Sequence, residues 1–413
     1  MAAGVTAGLL ALLAIAATAE TNEDQWPRFR GPDGSGISPA RNLPIQWTES
    51  DVRWKVALPG TGHSSPVIWK DRVFLTSGSD ATAERYVICL QAADGRKLWE
   101  KKYLSQTFEQ NQENSLGTST PAVDESGVYV YWTTPAAIQV AALSLDGREK
   151  WIQNLGPFIG KHGSGASPVL LNQLVWINND QDGPSALLAL DIRSGQIKYK
   201  ISRRADKVSY GTPCLFTRDG RPDELIFAAS SHGLTSINPL NGSVNWECTN
   251  LFSSRIVSSP IASDGLVICS SGEGGVGRRL VAVRPPSDRG PAAVVYELKN
   301  NIPNIPTPLA KDGRLYILCE NGLLRCVRSA TGEPLWQEKL PERFYGSPVW
   351  AVGRLYLTSK SGVVFVIAAG DRYELLAQNT LGEPSFASPA IAHETLFFRT
   401  VSHLIAVGGA PNH

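Results

Sequence analysis

The sequence has almost no charge of one sign to spare, since 39 basic residues face 38 acidic ones and the net charge is +1. Nucleic acid or an acidic membrane surface as a partner normally demands a basic patch or a strong excess, so neither is supported. The run Arg203-Arg204 with Lys207 is too short to change that. Metal-ligand spacing is also missing, because His63, His162, His232, His393, His403 and His413 nowhere form H-x-x-x-H. There is no G-x-S-x-G nucleophile turn, and Gly163-Ser164-Gly165 beside His162 does not supply one. A hydrolase would need residues gathered by tertiary structure alone.

The apolar stretch at residues 1–19, centred on Leu9-Leu10-Ala11-Leu12-Leu13, is too short for a comfortable membrane span. With Ala17-Thr18-Ala19 as an A-x-A site it reads as a signal peptide, which implies export to the periplasm or cell envelope and no transmembrane span in the mature chain. No Lys or Arg precedes it, so an uncleaved anchor is the rival reading. No Cys lies near the cleavage point, which leaves lipid attachment unsupported.

What the chain does have is a repeat. Ser-Pro or Thr-Pro dipeptides end at Pro66, Pro121, Pro168, Pro213, Pro260, Pro308, Pro348 and Pro389, at intervals of 55, 47, 45, 47, 48, 40 and 41 residues. That period fits one four-stranded propeller blade per unit. In the first copy Val67-Ile68-Trp69, then 73–76, then 86–90, then Leu98-Trp99-Glu100 are apolar, aromatic and β-branched runs separated by turn residues. An aromatic recurs in the fourth strand at Trp99, Trp151, Tyr199, Trp246, Tyr296 and Trp336, usually after a turn glycine. The eighth unit ends one strand short, after Leu404-Ile405-Ala406-Val407. The missing strand stands at the other terminus as Arg53-Trp54-Lys55-Val56-Ala57-Leu58. The expectation is therefore an all-β fold: an eight-bladed β-propeller of four-stranded antiparallel blades, closed by the N-terminal strand joining the C-terminal blade. The chain divides into a signal peptide at 1–19, an N-terminal arm at 20–50 and one propeller domain at 51–409. Closure of this kind leaves no open sheet end between blades.

Features that suggest chemistry mostly fall into the repeat. Cys89 and Cys326 each precede a turn glycine by six residues, where other blades carry Ala141, Ala189 and Ser236, so they read as small buried hydrophobes. Cys319 and Cys326 flank Asn321-Gly322. A two-residue hairpin there pairs Cys319 with Leu324 and Ile317 with Cys326, leaving the sulfurs as diagonal neighbours roughly 7–8 Å apart. Gly272-Glu273-Gly274-Gly275-Val276-Gly277 satisfies G-x-G-x-x-G, but a strand follows it where a phosphate site needs a helix N-terminus. Asn178, Asp180 and Asp182 resemble the start of a calcium loop, while the twelfth position, where a bidentate acid belongs, is Ala189. An Asx-rich turn is the simpler reading. About half of the eleven tryptophans sit at the fourth-strand position, and burying 150–250 Å² of such a ring is worth roughly 4–6 kcal/mol gross. Blade docking explains them better than an aromatic cofactor does.

Ala93-Asp94-Gly95-Arg96-Lys97-Leu98-Trp99, and more closely Ala330-Thr331-Gly332-Glu333-Pro334-Leu335-Trp336, resemble the tryptophan-docking motif of the pyrroloquinoline-quinone-like (PQQ-like) propeller superfamily. The likeness covers about residues 50–408, and Trp26-Pro27-Arg28-Phe29-Arg30-Gly31-Pro32 is similar to a segment preceding the propeller in many exported bacterial members. The resemblance implies one of two branches. Quinoprotein dehydrogenases use PQQ and calcium, a catalytic Asp and often adjacent cysteines, whereas this chain is short, has no Cys-Cys pair and offers no Asp that matches. The propeller lipoprotein of outer-membrane barrel assembly is a non-enzymatic scaffold of similar size, from which this chain departs in lacking a lipidation Cys. Fold alone does not choose between them.

Chain direction places the loops before strand one and between strands two and three on one face. The long segments 77–85, 101–119, 153–166, 202–211 and 271–279 all emerge there. Binding concentrates on such variable loops. The residues just before each Ser/Thr-Pro, His63, Thr118, His162, Tyr210, Arg255, Asn304, Tyr345 and Phe386, should rim the channel and suit capture of a peptide or small ligand. The reading is an exported, monomeric, non-enzymatic scaffold binding a protein or peptide partner in the cell envelope, with no cofactor. The alternatives are a PQQ-dependent oxidoreductase and an exported sensor or ligand-binding domain.

Overall fold

The computed structural model describes residues 25–108, 113–274, 276–287 and 290–408. The expected signal peptide and His413 lie outside the described residues. Eight four-stranded antiparallel sheets follow one another along the chain. Blade one is Val67–Trp69, Arg72–Ser79, Glu84–Gln91 and Lys97–Leu104. Blade eight is Ala390–Ala392, Thr395–Arg399 and His403–Gly408, completed by Val52–Ala57, which runs antiparallel to the last strand with Lys55 opposite Ile405. The ring is closed by the two ends of the chain.

Outer docking follows the repeated aromatic. The indole N–H of Trp54, Trp99, Trp151 and Trp336 donates to the carbonyls of Ala92, Leu145, Ile192 and Gly370 in the next blade, at 3.0, 2.9, 3.1 and 2.9 Å. The Tyr199 and Tyr296 hydroxyls do the same to Leu240 and Ser329 at 2.8 Å each. The preceding turn glycine is needed twice over. Gly95, Gly147 and Gly195 hold φ of +72°, +87° and +71°, and a Cβ on them would approach the indoles of Trp54, Trp99 and Trp151 to 2.7, 2.7 and 2.6 Å.

Two blades depart from the pattern. The Trp246 indole donates to the Glu224 carboxylate at 2.6 Å instead of a backbone carbonyl. In blade seven Ala377 holds the register position that Trp99 and Trp336 hold elsewhere. Residues 40–47 of the arm pack into that groove: Trp47 stacks on Phe398 at 5.6 Å, Asn379 bonds Trp47 N–H and Ile45 C=O, and Tyr356 donates to Pro44 C=O.

Inner docking explains the Ser/Thr-Pro marks. The backbone N–H of Ser65 donates to the hydroxyl of Thr120, and the chain of bonds continues through Ser167, Thr212, Ser259, Thr307 and Ser347 to Ser388, each 2.8–3.1 Å. Seven of the eight blade junctions carry this link. The following proline presents no backbone N–H at the inner edge of the sheet.

Three expectations need correction. Segments 77–85 and 271–279 are mainly strand, since the hairpins extend to Ser79 and Glu84 and to Glu273 and Val276. Blade six pairs Leu318 with Leu324 and Tyr316 with Cys326, one residue away from the two-residue hairpin. Gly322 at φ +87° closes a three-residue turn, with Cys319 N–H bonded to Leu323 C=O at 2.9 Å. All six cysteines are free thiols, five of them buried.

Candidate functional site

The axial channel is a cup of about 860 Å³ that opens on the face carrying the long loops and hairpins. All eight residues preceding the Ser/Thr-Pro marks, His63, Thr118, His162, Tyr210, Arg255, Asn304, Tyr345 and Phe386, line it. Below them the Ser/Thr belt forms the wall.

The floor is the chain's own N-terminal arm. Trp26 exchanges both backbone bonds with Ile68 in blade one, and Val123 N–H of blade two donates to Pro27 C=O. The arm crosses the axis and exchanges bonds with Trp350 of blade seven through Gly36 and Ser38. Arg28 donates to Pro213 C=O at 3.2 Å, and Arg30 to Pro308 C=O and Pro348 C=O at 3.0 Å each. These are the carbonyls of three of the eight marker prolines. Arg28 and Arg30 are buried, and among the described residues no carboxylate is bonded to either guanidinium; burial lowers both pKa values, and the collar of carbonyls accepts their hydrogen bonds instead. Phe29, between them in the turn closed by Gly31 N–H on Arg28 C=O, lines the cup.

The wall is chemically two-sided. On the side of blades seven, eight and one, His63 stacks on Phe386 at 4.6 Å and Tyr345 meets Phe386 edge-on at 5.7 Å. Lys360 lies over the Tyr345 ring at 4.4 Å and over Phe386 at 5.4 Å. Burial, reinforced by Arg399, pushes the His63 pKa down to about 4, so its imidazole is neutral at pH 7. On the side of blades four and five, Arg255 donates to the Tyr210 hydroxyl at 3.3 Å and lies 3.8 Å from Asp182, while Lys207 pairs with Glu273 at 3.0 Å. Glu113, on the loop leading into blade two, reaches across to bond Lys360 Nζ and the Tyr345 hydroxyl in blade seven. Glu113, Lys360 and the arm arginines had no signal in the repeat, because none occupies a repeated position.

The calcium candidates lie outside the lining of the cup and do not converge on one point. Asp180 is buried and ion-paired with Arg203, Asp182 accepts from Val208 N–H, and Asn178 donates to Gly211 C=O. The two aspartates therefore serve different partners, while Asn178 Oδ1 is buried with no hydrogen-bond partner among the described residues. No group of three or more His, Cys, Asp or Glu that could hold a metal occurs among the described residues. Among those residues no acidic cluster is there to carry the calcium of a quinone site, and no chemical step through one follows. The G-x-G-x-x-G segment lies in the hairpin between strands two and three of blade five, without a helix after it. Burial raises the thiol pKa of Cys89, Cys214, Cys319 and Cys326 to about 12, which leaves no thiolate nucleophile there at neutral pH.

The family model described as outer membrane protein assembly factor BamB matches residues 44–158, 83–289 and 294–407. No curated protein sequence matches the chain. Among solved structures, BamB from Moraxella catarrhalis is similar at 15% identity with a TM-score of 0.62, covering 87% of this chain and 98% of that one. The quinohemoprotein alcohol dehydrogenase from Comamonas testosteroni is similar at 11% identity and 0.64, covering 96% and 82%. A computationally designed protein, Ika8, matches at 13% and 0.59, covering 85% and 98%. A fold shared by an assembly factor, an oxidoreductase and a design does not decide function.

Proposed function

The chain belongs to the family described as outer membrane protein assembly factor BamB, and on that premise we propose that it is an exported, non-enzymatic scaffold that takes protein partners at its loop face. The observation that carries this reading is the asymmetry of the channel. One end is sealed by Arg28 and Arg30 on the proline carbonyls, and the other opens between aromatic and charged side chains. A partner has one mouth to engage. Aromatic residues and arginines at such a mouth are the side chains that carry most binding energy in protein interfaces.

The carboxylates at the mouth support binding over chemistry. Glu113 is bonded to Lys360 and Tyr345, Glu273 to Lys207, and Asp182 lies beside Arg255. Lys360 and Lys207 hold the Glu113 and Glu273 carboxyls below their ordinary pKa, whereas a general acid or base needs a pKa near the working pH.

A photo-crosslinking side chain placed at Arg255 or Tyr345, against one at Asp146 on the opposite face, tests the reading in the native cell envelope. Crosslinks to a discrete protein from the first two positions and not from Asp146 are expected. Crosslinking from Asp146 alone, or saturable binding of PQQ with calcium accompanied by dye reduction, would overturn it. Export is checked separately by sequencing the N-terminus of the envelope fraction, where a start at Glu20 is expected.

A further inference from the structure

Glu113 makes a contact that the propeller does not require. It leaves the loop before blade two, crosses the mouth and places its carboxylate on Lys360 Nζ and the Tyr345 hydroxyl of blade seven, more than 230 residues away in sequence. The receiving corner is built before Glu113 arrives. Lys360 is held over Tyr345 and Phe386 by cation–π contact, its side chain is 14% exposed, and its own backbone N–H is tied to Arg343 C=O at 2.7 Å. The Glu113 side chain is 39% exposed, so the cation is the buried partner and the carboxylate is the accessible one. Hydrogen bonds from Lys360 and Tyr345 hold the Glu113 carboxyl below its ordinary pKa, and the exposed guanidinium of Arg343 adds to the positive field.

We propose that this corner is a carboxylate-binding site, that Glu113 is its internal occupant, and that the segment a partner inserts into the cup is an acidic peptide whose carboxylate replaces Glu113. The inference rests on the protein-binding reading above. Its chemistry is specific: a planar anion between an ammonium and a phenol, with an apolar neighbour covered by Phe386 and His63. The Phe386–His63 stack gives the cup an apolar surface beside the acid. An intramolecular carboxylate competes with the incoming one at high effective concentration, so the free protein holds the site closed to weak acids and yields it to a segment that also fills the cup. Across the cup Lys207–Glu273 and Arg255–Asp182 join loops of nearby blades, whereas Glu113 and Lys360 come from opposite parts of the ring, the loop before blade two and blade seven.

Fluorescence anisotropy on the full chain tests this, using a labelled hexapeptide of alternating Phe and Glu and its Phe/Gln counterpart. E113Q should bind the acidic peptide about threefold to tenfold more tightly than the parent, because one exposed-to-buried ion pair no longer has to be broken. Lys360→Met should lose that gain, and Tyr345→Phe, which removes only the hydroxyl, should lose part of it. The Phe/Gln peptide should not distinguish E113Q from the parent. Unchanged thermal unfolding of E113Q confirms that the gain is not a refolded cup. Equal affinity of parent and E113Q for the acidic peptide, or an equal gain for the Phe/Gln peptide, would overturn the carboxylate site. If the crosslinks from Arg255 and Tyr345 persist in that case, only the acidic identity of the partner falls. If they too are absent, the loop-face reading falls with it.

Discussion

The junction between blades eight and one differs from the other seven, and the difference shows how a repeat is turned into a closed ring. Seven junctions carry the Ser/Thr belt at the inner edge; at the closing one an arginine takes its place. Arg399, at the end of the second strand of blade eight, donates to the hydroxyls of Ser64 and Ser77 at 2.9 and 3.1 Å and to Thr76 C=O in blade one. Gly62 makes room for it, since a Cβ there would lie 2.2 Å from the guanidinium. The outer edge of the same junction is ordinary, with Trp54 on Ala92 as in any other blade pair. The seam thus keeps the repeated outer contact and replaces only the inner one. Three donors from one rigid side chain tie three groups in blade one, where a hydroxyl ties one.

The comparison can be broken most severely by removing residues 1–58, which strips both the closing strand and the arm. Blade eight is then left with three strands and an open edge, and loss of cooperative unfolding by calorimetry is expected. Arg399→Met comes next. It removes the three guanidinium bonds to Thr76 C=O and the Ser64 and Ser77 hydroxyls, which keep only their bonds within blade one and its leading loop, a loss of about 2–4 kcal/mol by urea denaturation. A value near zero would mean that the seam does not depend on the arginine.

Acid should act on the same seam, because His63 of blade one stacks on Phe386 of blade eight near Arg399. Its folded pKa is depressed to about 4 from 6.5, so the unfolded chain takes up the proton first as the pH falls. Stability is full above about pH 6.5 and is lost as the pH falls through 4, by about 3 kcal/mol in all. His63→Gln should flatten that part of the stability profile, and an unchanged slope would place the sensitivity elsewhere. The smallest effect belongs to a regular junction. Thr212→Val removes the acceptor for Ser167 N–H, and about 1 kcal/mol is expected by the same urea measurement. A cost equal to that of Arg399→Met would erase the distinction between seam and belt.

Much of the fold could be read from the chain because it repeats. The Ser/Thr-Pro spacing sets the number of blades, the displaced Trp54 strand sets how they close, and the residue before each mark sets which side chains line the cup. The blade-six hairpin was misread by one residue because Asn321-Gly322 signals a two-residue turn as readily as the three-residue turn with Gly322 at its last position. The arm was only partly legible. Its Trp26-to-Pro32 segment is recognisable, but nothing local says that Arg28 and Arg30 reach carbonyls 185 and 318 residues away.

The sequence by itself determined the blade, its count and its closure, because each depends on contacts that recur at a fixed interval and so leave a period along the chain. Only the tertiary structure decided that the arm seals one end, that Arg399 fastens the seam, and that Glu113 lies on Lys360. Each of these joins two unlike positions once. A buried guanidinium or an ion pair across a cup is settled by which donors and acceptors the closed ring leaves unmatched, and that mismatch exists only after the ring has formed.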